Sequence, residues 1–258
     1  MITEEILQIA MEQSAEEMNC KMEDFMKNQN VIVPFCLGKK ARKYLKEPIA
    51  ANIVSYGNNV VASVTEDVRD VMTEYVNKYE YYHLFETPNM HWLSEHLVEK
   101  GYKICFIAEY FLPDIRNLRL CFCDYEMRIL KQQDFETLYL PEWDNALCKD
   151  RKQLDVLGVG AYEDQKLIGL AGCSADCEKM WQIGVDVLLK YRRKGIATAL
   201  TSRLVHEILE RGKVPFYCCA WSNIRSVRNA LKSGFIPAWV EMTIKPDAIV
   251  DEINGEAK

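Results

Sequence analysis

The chain has 258 residues, 49% of them hydrophobic and 27% charged, which excludes a disordered chain and leaves room for one large domain or two modest ones with real cores. A formal net charge of −6 argues against nonspecific nucleic-acid binding by the chain as a whole. No apolar run approaches the length of a membrane span, and the ten cysteines form neither a CxxC pair nor a zinc-type spacing with histidine, so no metal is expected.

Residues 1–20 carry Glu4, Glu5, Glu12, Glu16 and Glu17 and no cationic stretch, so no secretory leader is expected and the location should be cytoplasmic. In that compartment the thiols should be reduced and mostly buried. A helix is expected over residues 3–27, before VIVPFCLG, where Pro34 breaks the pattern. Residues 51–56 and 60–64 read as a hairpin about Gly57-Asn58-Asn59. The stretch 65–79 places Val68, Val71, Met72, Tyr75, Val76 and Tyr79 on one helical face, and Ser63 with Glu66 has the spacing of a capping box. YYHLFE then reads as a strand, 90–100 as a helix closed by Gly101, and KICFIAEYFL as a strand.

After the Pro113-Asp114 break a second half begins near Leu118. CDYEMRIL reads as a strand and 134–147 as irregular helix. VLGVGAY and KLIGLAGCS form a hairpin, and MWQIGVDVLL is a buried strand. Ile196, Leu200, Leu204 and Ile208 recur every four residues, the pattern of a helix lying on a sheet. VPFYCCAW is a strand, 223–233 a helix and 236–244 a closing strand, so the class is α/β with some parallel pairing. The order of elements in the first half echoes that of the second, with Asn89 and Gly101 spaced much as Asn223 and Gly234 are, which raises an ancestral duplication.

Charge is uneven along the chain. Residues 187–232 carry ten Lys and Arg against only Glu207 and Glu210, a basic island in an acidic protein. Its focus is YRRKGIATAL, where Arg192, Arg193 and Lys194 precede Gly195 at the start of a helix. The macrodipole disfavours cations there. The arrangement makes sense if the unpaired amides of the first turn hold an anion such as phosphate, with Gly195 allowing close approach to the backbone. A solvated basic turn is the plain alternative.

This loop resembles the Arg/Gln-x-x-Gly-x-Gly/Ala signature of the GNAT superfamily of acyl-CoA-dependent N-acyltransferases, here Arg192, Gly195 and Ala197. WSNIRSVRNALKSGF resembles that family's second cofactor segment, and the likeness covers residues 121–245 in the right element order. The resemblance implies a mixed GNAT-type sheet with flanking helices over 118–258, preceded by a smaller accessory α/β domain over 1–117, itself similar to a degenerate GNAT half. It implies that the amides of Arg193, Lys194, Gly195, Ile196, Ala197 and Thr198 wrap the pyrophosphate of acetyl-CoA, with Arg192 supporting the loop or pairing with phosphate. Val185 and Val187 would line the pantetheine arm, the Val187 N–H would polarise the thioester carbonyl, Asn223 would hold the cofactor arm or cap its helix, and Ser226 would sit nearby. The first half, with Thr65-Glu66-Asp67 in place of the basic loop, should bind no cofactor.

One departure stands out: the tyrosine many members carry seven residues after the asparagine is Ala230 here, and Ala230→Tyr is expected to leave activity similar or slightly higher. Asp186, Glu178 and Glu241 are the carboxylates to weigh as a base, and Trp181, Trp221 and Trp239 as acceptor-pocket residues. The resemblance implies a cytoplasmic N-acetyltransferase that joins acetyl-CoA to a primary amine of a small molecule or peptide by direct attack in a ternary complex. The rival is a non-catalytic acyl-CoA-binding sensor or interaction module. No nucleic acid and no membrane are expected as partners, and a homodimer is left open. An aminoacyl or peptidyl transferase would need a site for charged tRNA, which the acidic first half opposes.

Overall fold

Hydrophobic alternation and helical periodicity resolve into an α/β protein in the computed structural model, which describes residues 3–46 and 48–255. The chain opens with α1 (Glu4–Met18) and a 3-10 turn (Met22–Met26), so the expected helix over 3–27 stops early, and VIVP is strand β1 (Val31–Pro34). Strands β2 (Ala51–Ser55) and β3 (Val61–Val64) form the expected hairpin. A 3-10 turn (Glu66–Val68) leads into α2 (Arg69–Lys78). The expected capping box is absent, because Ser63 is fully buried and Glu66 instead accepts from Arg69 at 3.1 Å. YYHLFE is not a strand either: Tyr81–His83 is a 3-10 turn, and the Tyr75 hydroxyl donates to the Leu84 carbonyl. Its aromatic residues carry strand propensity without a ladder to join. Helix α3 (Thr87–Val98) and strand β4 (Tyr102–Pro113) complete this half, and without the middle strand the echo between halves fails.

The second half runs through β5 (Glu126–Lys131), 3-10 turns at Gln132–Phe135 and Pro141–Trp143, the hairpin β6 (Asp155–Glu163) and β7 (Lys166–Ser174), and β8 (Met180–Val187). Then come α4 (Ile196–Glu210), β9 (Val214–Cys219), α5 (Ile224–Lys232), β10 (Phe235–Pro246) and an unexpected last helix, α6 (Asp247–Ile253). All ten cysteines are free thiols, but only Cys173 and Cys177 are buried, fewer than expected. No helix of the described residues is long and apolar enough to cross a membrane.

The chain packs as two compact units, neither a single continuous stretch. One holds Gln8–Glu109 and the segment from Ala238 onward. There β1 pairs parallel to β3, β3 antiparallel to β2, and β2 antiparallel to the second half of β10. One face of these strands packs Ile53, Ala62, Val64, Met242 and Ile244 against Met72, Tyr75 and Val76 of α2 and Leu93 and Leu97 of α3. The other face holds ions. Arg42, buried, donates to both oxygens of Glu17 and, at 2.9 Å, to Glu241, whose other oxygen accepts from Asn52 at 2.9 Å.

The other unit holds Tyr110–Pro237 and the first residues up to Leu7. Its strands run in the order β9-β8-β7-β6-β5, with β8 and β9 parallel and the rest antiparallel, the mixed sheet expected. Helix α4 covers one face, seating Ile196, Leu200, Leu204, Val205 and Ile208 against Val159, Ala171, Ile183 and Val187. Full burial of each such side chain stabilises the fold by about 1.5–3 kcal/mol. On the opposite face Phe135, Trp143 and Leu147 of the turn-rich segment pack against Leu130 and Leu170.

Candidate functional site

The site grows from the end of one parallel strand pair. Strands β8 and β9 are in register only from Met180 opposite Val214 to Ile183 opposite Tyr217, although β8 continues to Val187 and β9 to Cys219. Beyond that point the two strands part. Leu188 N donates to Ile168 O at 3.0 Å on the β7 side, and antiparallel ladders alternate, so the backbone groups of Val185 and Val187 face the β9 side, where no ladder meets them. The gap therefore exposes strand hydrogen-bonding groups to whatever enters it.

A 3-10 turn (Leu189–Tyr191) carries the chain from β8 to α4. Tyr191 is buried and its hydroxyl bonds to Glu163, which anchors the turn. Arg193 at φ 65° and Gly195 at φ 79° both take the left-handed conformation. Successive amides so twisted make an anion-binding concavity. The first helical bond is Ala199 N to Gly195 O at 3.0 Å, and among the described residues the amides of Arg193, Lys194, Gly195, Ile196, Ala197 and Thr198 have no acceptor. Gly195 is needed for its φ rather than for space, since a Cβ there would meet nothing within 4 Å.

The side chains divide the work differently from the charge count. Arg192 Nε donates to Val187 O at 2.9 Å, a bond that ties the loop to the strand. Lys194 Nζ donates to the Tyr125 hydroxyl at 2.9 Å and lies over the Tyr191 ring. Thr198 bonds to Asn229 at 3.1 Å, and Asn229 donates to Thr201 at 3.0 Å, a polar link between α4 and α5. Asn223 is the N-cap of α5 and accepts from Ser226 N at 3.3 Å, while the Ser226 hydroxyl meets the Tyr217 hydroxyl at 2.8 Å. Tyr125, Asn229 and Tyr217 were not singled out in the sequence, where each reads as an ordinary aromatic or helix-surface residue.

Asp186 and Glu241 serve separate structural networks, and the three tryptophans lie in different surroundings. Asp186 accepts from Asn145 N at 2.9 Å, Asn145 Nδ2 at 2.7 Å and Ala146 N at 3.0 Å, so it pins the 145–146 backbone over β8. Gly184 and Gly172 make room for that crossing: a Cβ on either would come within 1.8 Å of Asn145 O or 2.1 Å of Ala146 O. Glu241 belongs to the buried Arg42 network of the other unit. Trp239 stacks on Tyr56 in that same unit, Trp221 is exposed, and Trp181 packs at the edge of the α4 core.

Ala230 is fully buried between α5 and the core, not open to the gap, which corrects the expectation for its replacement. Ala230→Tyr forces a phenol into a closed core, and overpacking of this kind typically costs about 1–3 kcal/mol. The variant should unfold at lower urea concentration and lose activity with its fold. Unchanged stability and full activity would show that the position opens to the gap after all.

Asp155 is buried with one oxygen on Cys148 N at 2.9 Å, and burial pushes its carboxyl up to about 6. A raised acid stabilises the fold below its unfolded pKa of about 3.9, and that contribution is lost as pH rises through about 6. Asp155→Asn should therefore gain about 1–3 kcal/mol relative to the parent between pH about 4 and pH about 7. Urea unfolding at the two pH values measures it; a constant difference would place the titration elsewhere.

The sequence profile of the GNAT acetyltransferase family matches residues 33–238. No curated protein matches significantly. Among solved structures, a GCN5-related N-acetyltransferase-like protein from Streptococcus suis is similar at 20% identity over 58% of this chain and 66% of that one, with TM-score 0.45. A GCN5-related N-acetyltransferase from Kribbella flavida is similar at 16% identity over 62% and 64%, with TM-score 0.45. A tandem GNAT protein from the clavulanic acid biosynthesis pathway is similar at 14% identity over 58% and 57%, with TM-score 0.43. The chain thus spans less than two thirds of these structures' own length.

Proposed function

The chain belongs to the GNAT acetyltransferase family, and from that premise we propose an N-acetyltransferase that moves acetyl from acetyl-CoA to a primary amine of a small molecule or peptide. The observation that carries the proposal is the run of six unpartnered amides, 193–198, beside the parted ends of β8 and β9. The amides fit a pyrophosphate, and the gap fits the amide-bearing arm that follows it.

Acetyl-CoA would bring an activated thioester; the protein supplies position and polarity. Val185 would offer its backbone to the arm, and the Val187 N–H, whose own carbonyl is held by Arg192, would polarise the thioester carbonyl. Arg192 acts as a brace of the loop, and Arg193 and Lys194 add positive charge around it. Asn223 shapes the first turn of α5. With both reactants bound, the amine attacks directly in a ternary complex, and positioning alone can supply roughly 7–11 kcal/mol of the barrier. In this reading residues 118–258 carry the catalytic loop and cofactor helix, residues 1–117 bind no cofactor of their own, and the protein works in the cytoplasm without nucleic acid, membrane or metal.

A second reading, an acyl-CoA sensor without catalysis, draws support from Asp186 and Glu241, two of the three carboxylates weighed as a base, which are both committed to structural bonds. Incubating the protein with acetyl-CoA and a panel of amines, read by mass spectrometry, separates the two. Transfer should appear and increase with pH, because an alkylammonium of pKa about 10.4 must lose its proton before attacking. Tight acetyl-CoA binding with no acetylated amine between pH about 6 and pH about 9 would favour the sensor.

A further inference from the structure

We propose that the unit without the glycine loop carries a second small-molecule site, a cavity of about 810 Å³ that takes a small carboxylic acid with an apolar body. Every residue that lines the cavity belongs to the unit of Gln8–Glu109 and the segment from Ala238 onward. Packed interiors keep few voids larger than a water molecule, whereas small-molecule sites span about 300–1,000 Å³. The volume is that of a binding site.

Its walls come mainly from residues 35–50, the stretch that joins β1 to β2, and this stretch is tied at both ends and in the middle. Phe35 N donates to Val64 O and Ala50 N to Ile244 O, each at 2.8 Å, which fixes the ends to strands. Gly38 N donates to Glu16 O at 3.1 Å and the Arg42 amide to Glu17 at 3.1 Å, which fixes the middle to α1. Walls held by such bonds are formed before a ligand arrives, so little ordering is lost on binding. Phe35, Leu37, Leu45 and Ile49 give the lining its apolar surface, against which an apolar body sheds its water.

The charge on the lining has one sign. Lys39, Arg42 and Lys43 belong to it, and among the described residues no Asp or Glu does. The Arg42 guanidinium is balanced by Glu17 and Glu241, so its fork is already engaged. Lys39 and Lys43 are exposed and have no carboxylate partner among the described residues. A lysine lays its stem on apolar surface and keeps its ammonium in water, so these two put positive charge on the solvent side of the cavity. Two separate point charges without a fork suit a single acid group better than bidentate capture of a phosphate. The occupant is therefore an apolar body seated inside with one carboxylate left in reach of the lysines.

The test compares two dyes with the same rings on the full chain: 8-anilinonaphthalene-1-sulfonate, whose sulfonate stands in for the carboxylate, and neutral N-phenyl-1-naphthylamine. Fluorescence titration should show both binding at one site. Replacing Lys39→Gln together with Lys43→Gln should weaken the anionic dye about three- to tenfold and leave the neutral dye unchanged, and high salt should act as the double variant does. Ala41→Leu, which fills space on the lining, should weaken both dyes. Decanoate, an acid of the proposed class, should displace both, and saturating coenzyme A neither. Absence of dye binding, displacement by coenzyme A, or equal affinity of the anionic dye for the intact protein and the folded double-lysine variant would overturn the inference. If Ala41→Leu does not fold, the lysine pair decides alone. Failure of coenzyme A to bind would remove the cofactor reading and leave this site standing.

Discussion

Gly195→Asp should weaken coenzyme A binding by more than about a hundredfold while the protein stays folded. A carboxylate about 4 Å from a phosphate charge is repelled by about 4 kcal/mol at an effective dielectric near 20, which alone exceeds that factor. Nothing lies within 4 Å of the new Cβ, so packing is undisturbed, and aspartate is among the residues that tolerate the left-handed conformation Gly195 adopts. Gly195→Asn separates charge from shape: it has the same bulk and the same tolerance of positive φ, so it should retain most of the affinity. Calorimetry on the three proteins reads the difference. Equal affinity of the aspartate variant in a folded protein would remove the phosphate from this loop. Arg192→Ala should act more mildly, since Arg192 braces the loop through Val187 O.

Arg42→Met should destabilise the unit that contains it by about 3–5 kcal/mol, the cost of leaving buried carboxylates without their cation. Glu17 and Glu241 are both almost fully buried and both bond the Arg42 guanidinium, with Gln13, Asn52 and the Arg42 amide as their further donors among the described residues. The triple variant Glu17→Gln, Glu241→Gln, Arg42→Met removes all the charge and should recover much of the loss. Urea unfolding followed by a probe of this unit measures both. A single variant as stable as the parent would mean that water reaches the network. Catalytic readouts should change little so long as the unit stays folded at the assay temperature.

Much of the site was legible in the sequence because it is local. A loop of six consecutive amides at a helix start lies within one stretch of chain, and YRRKGIATAL carries its own evidence: cations where the dipole disfavours them, then a glycine at the position that adopts positive φ. The N-cap role of Asn223 is equally local. The same holds for α4, whose every-fourth-residue stripe meets the sheet as read. YYHLFE failed for the opposite reason: strand propensity is completed only by a partner strand, and none is present beside Tyr81–His83.

Assignments that depend on residues distant in sequence were decided only by the tertiary structure. The parting of β8 and β9 after Ile183 and Tyr217 cannot be read from either strand, because both run on past that point and only their pairing ends. The pairing of Tyr217 with Ser226 and the tie of Asp186 to Asn145 and Ala146 join different elements, so neither element announces the role. Glu241, one of three carboxylates on plausible strands by sequence, proved to be the counter-ion of Arg42, 199 residues away. What the sequence by itself determined was the family, the α/β class and the position of the glycine loop at the start of α4, all carried by short-range pattern. Which carboxylates, hydroxyls and aromatics are buried, and what each bonds to, was decided by packing, since burial and hydrogen bonding act through space and not along the chain.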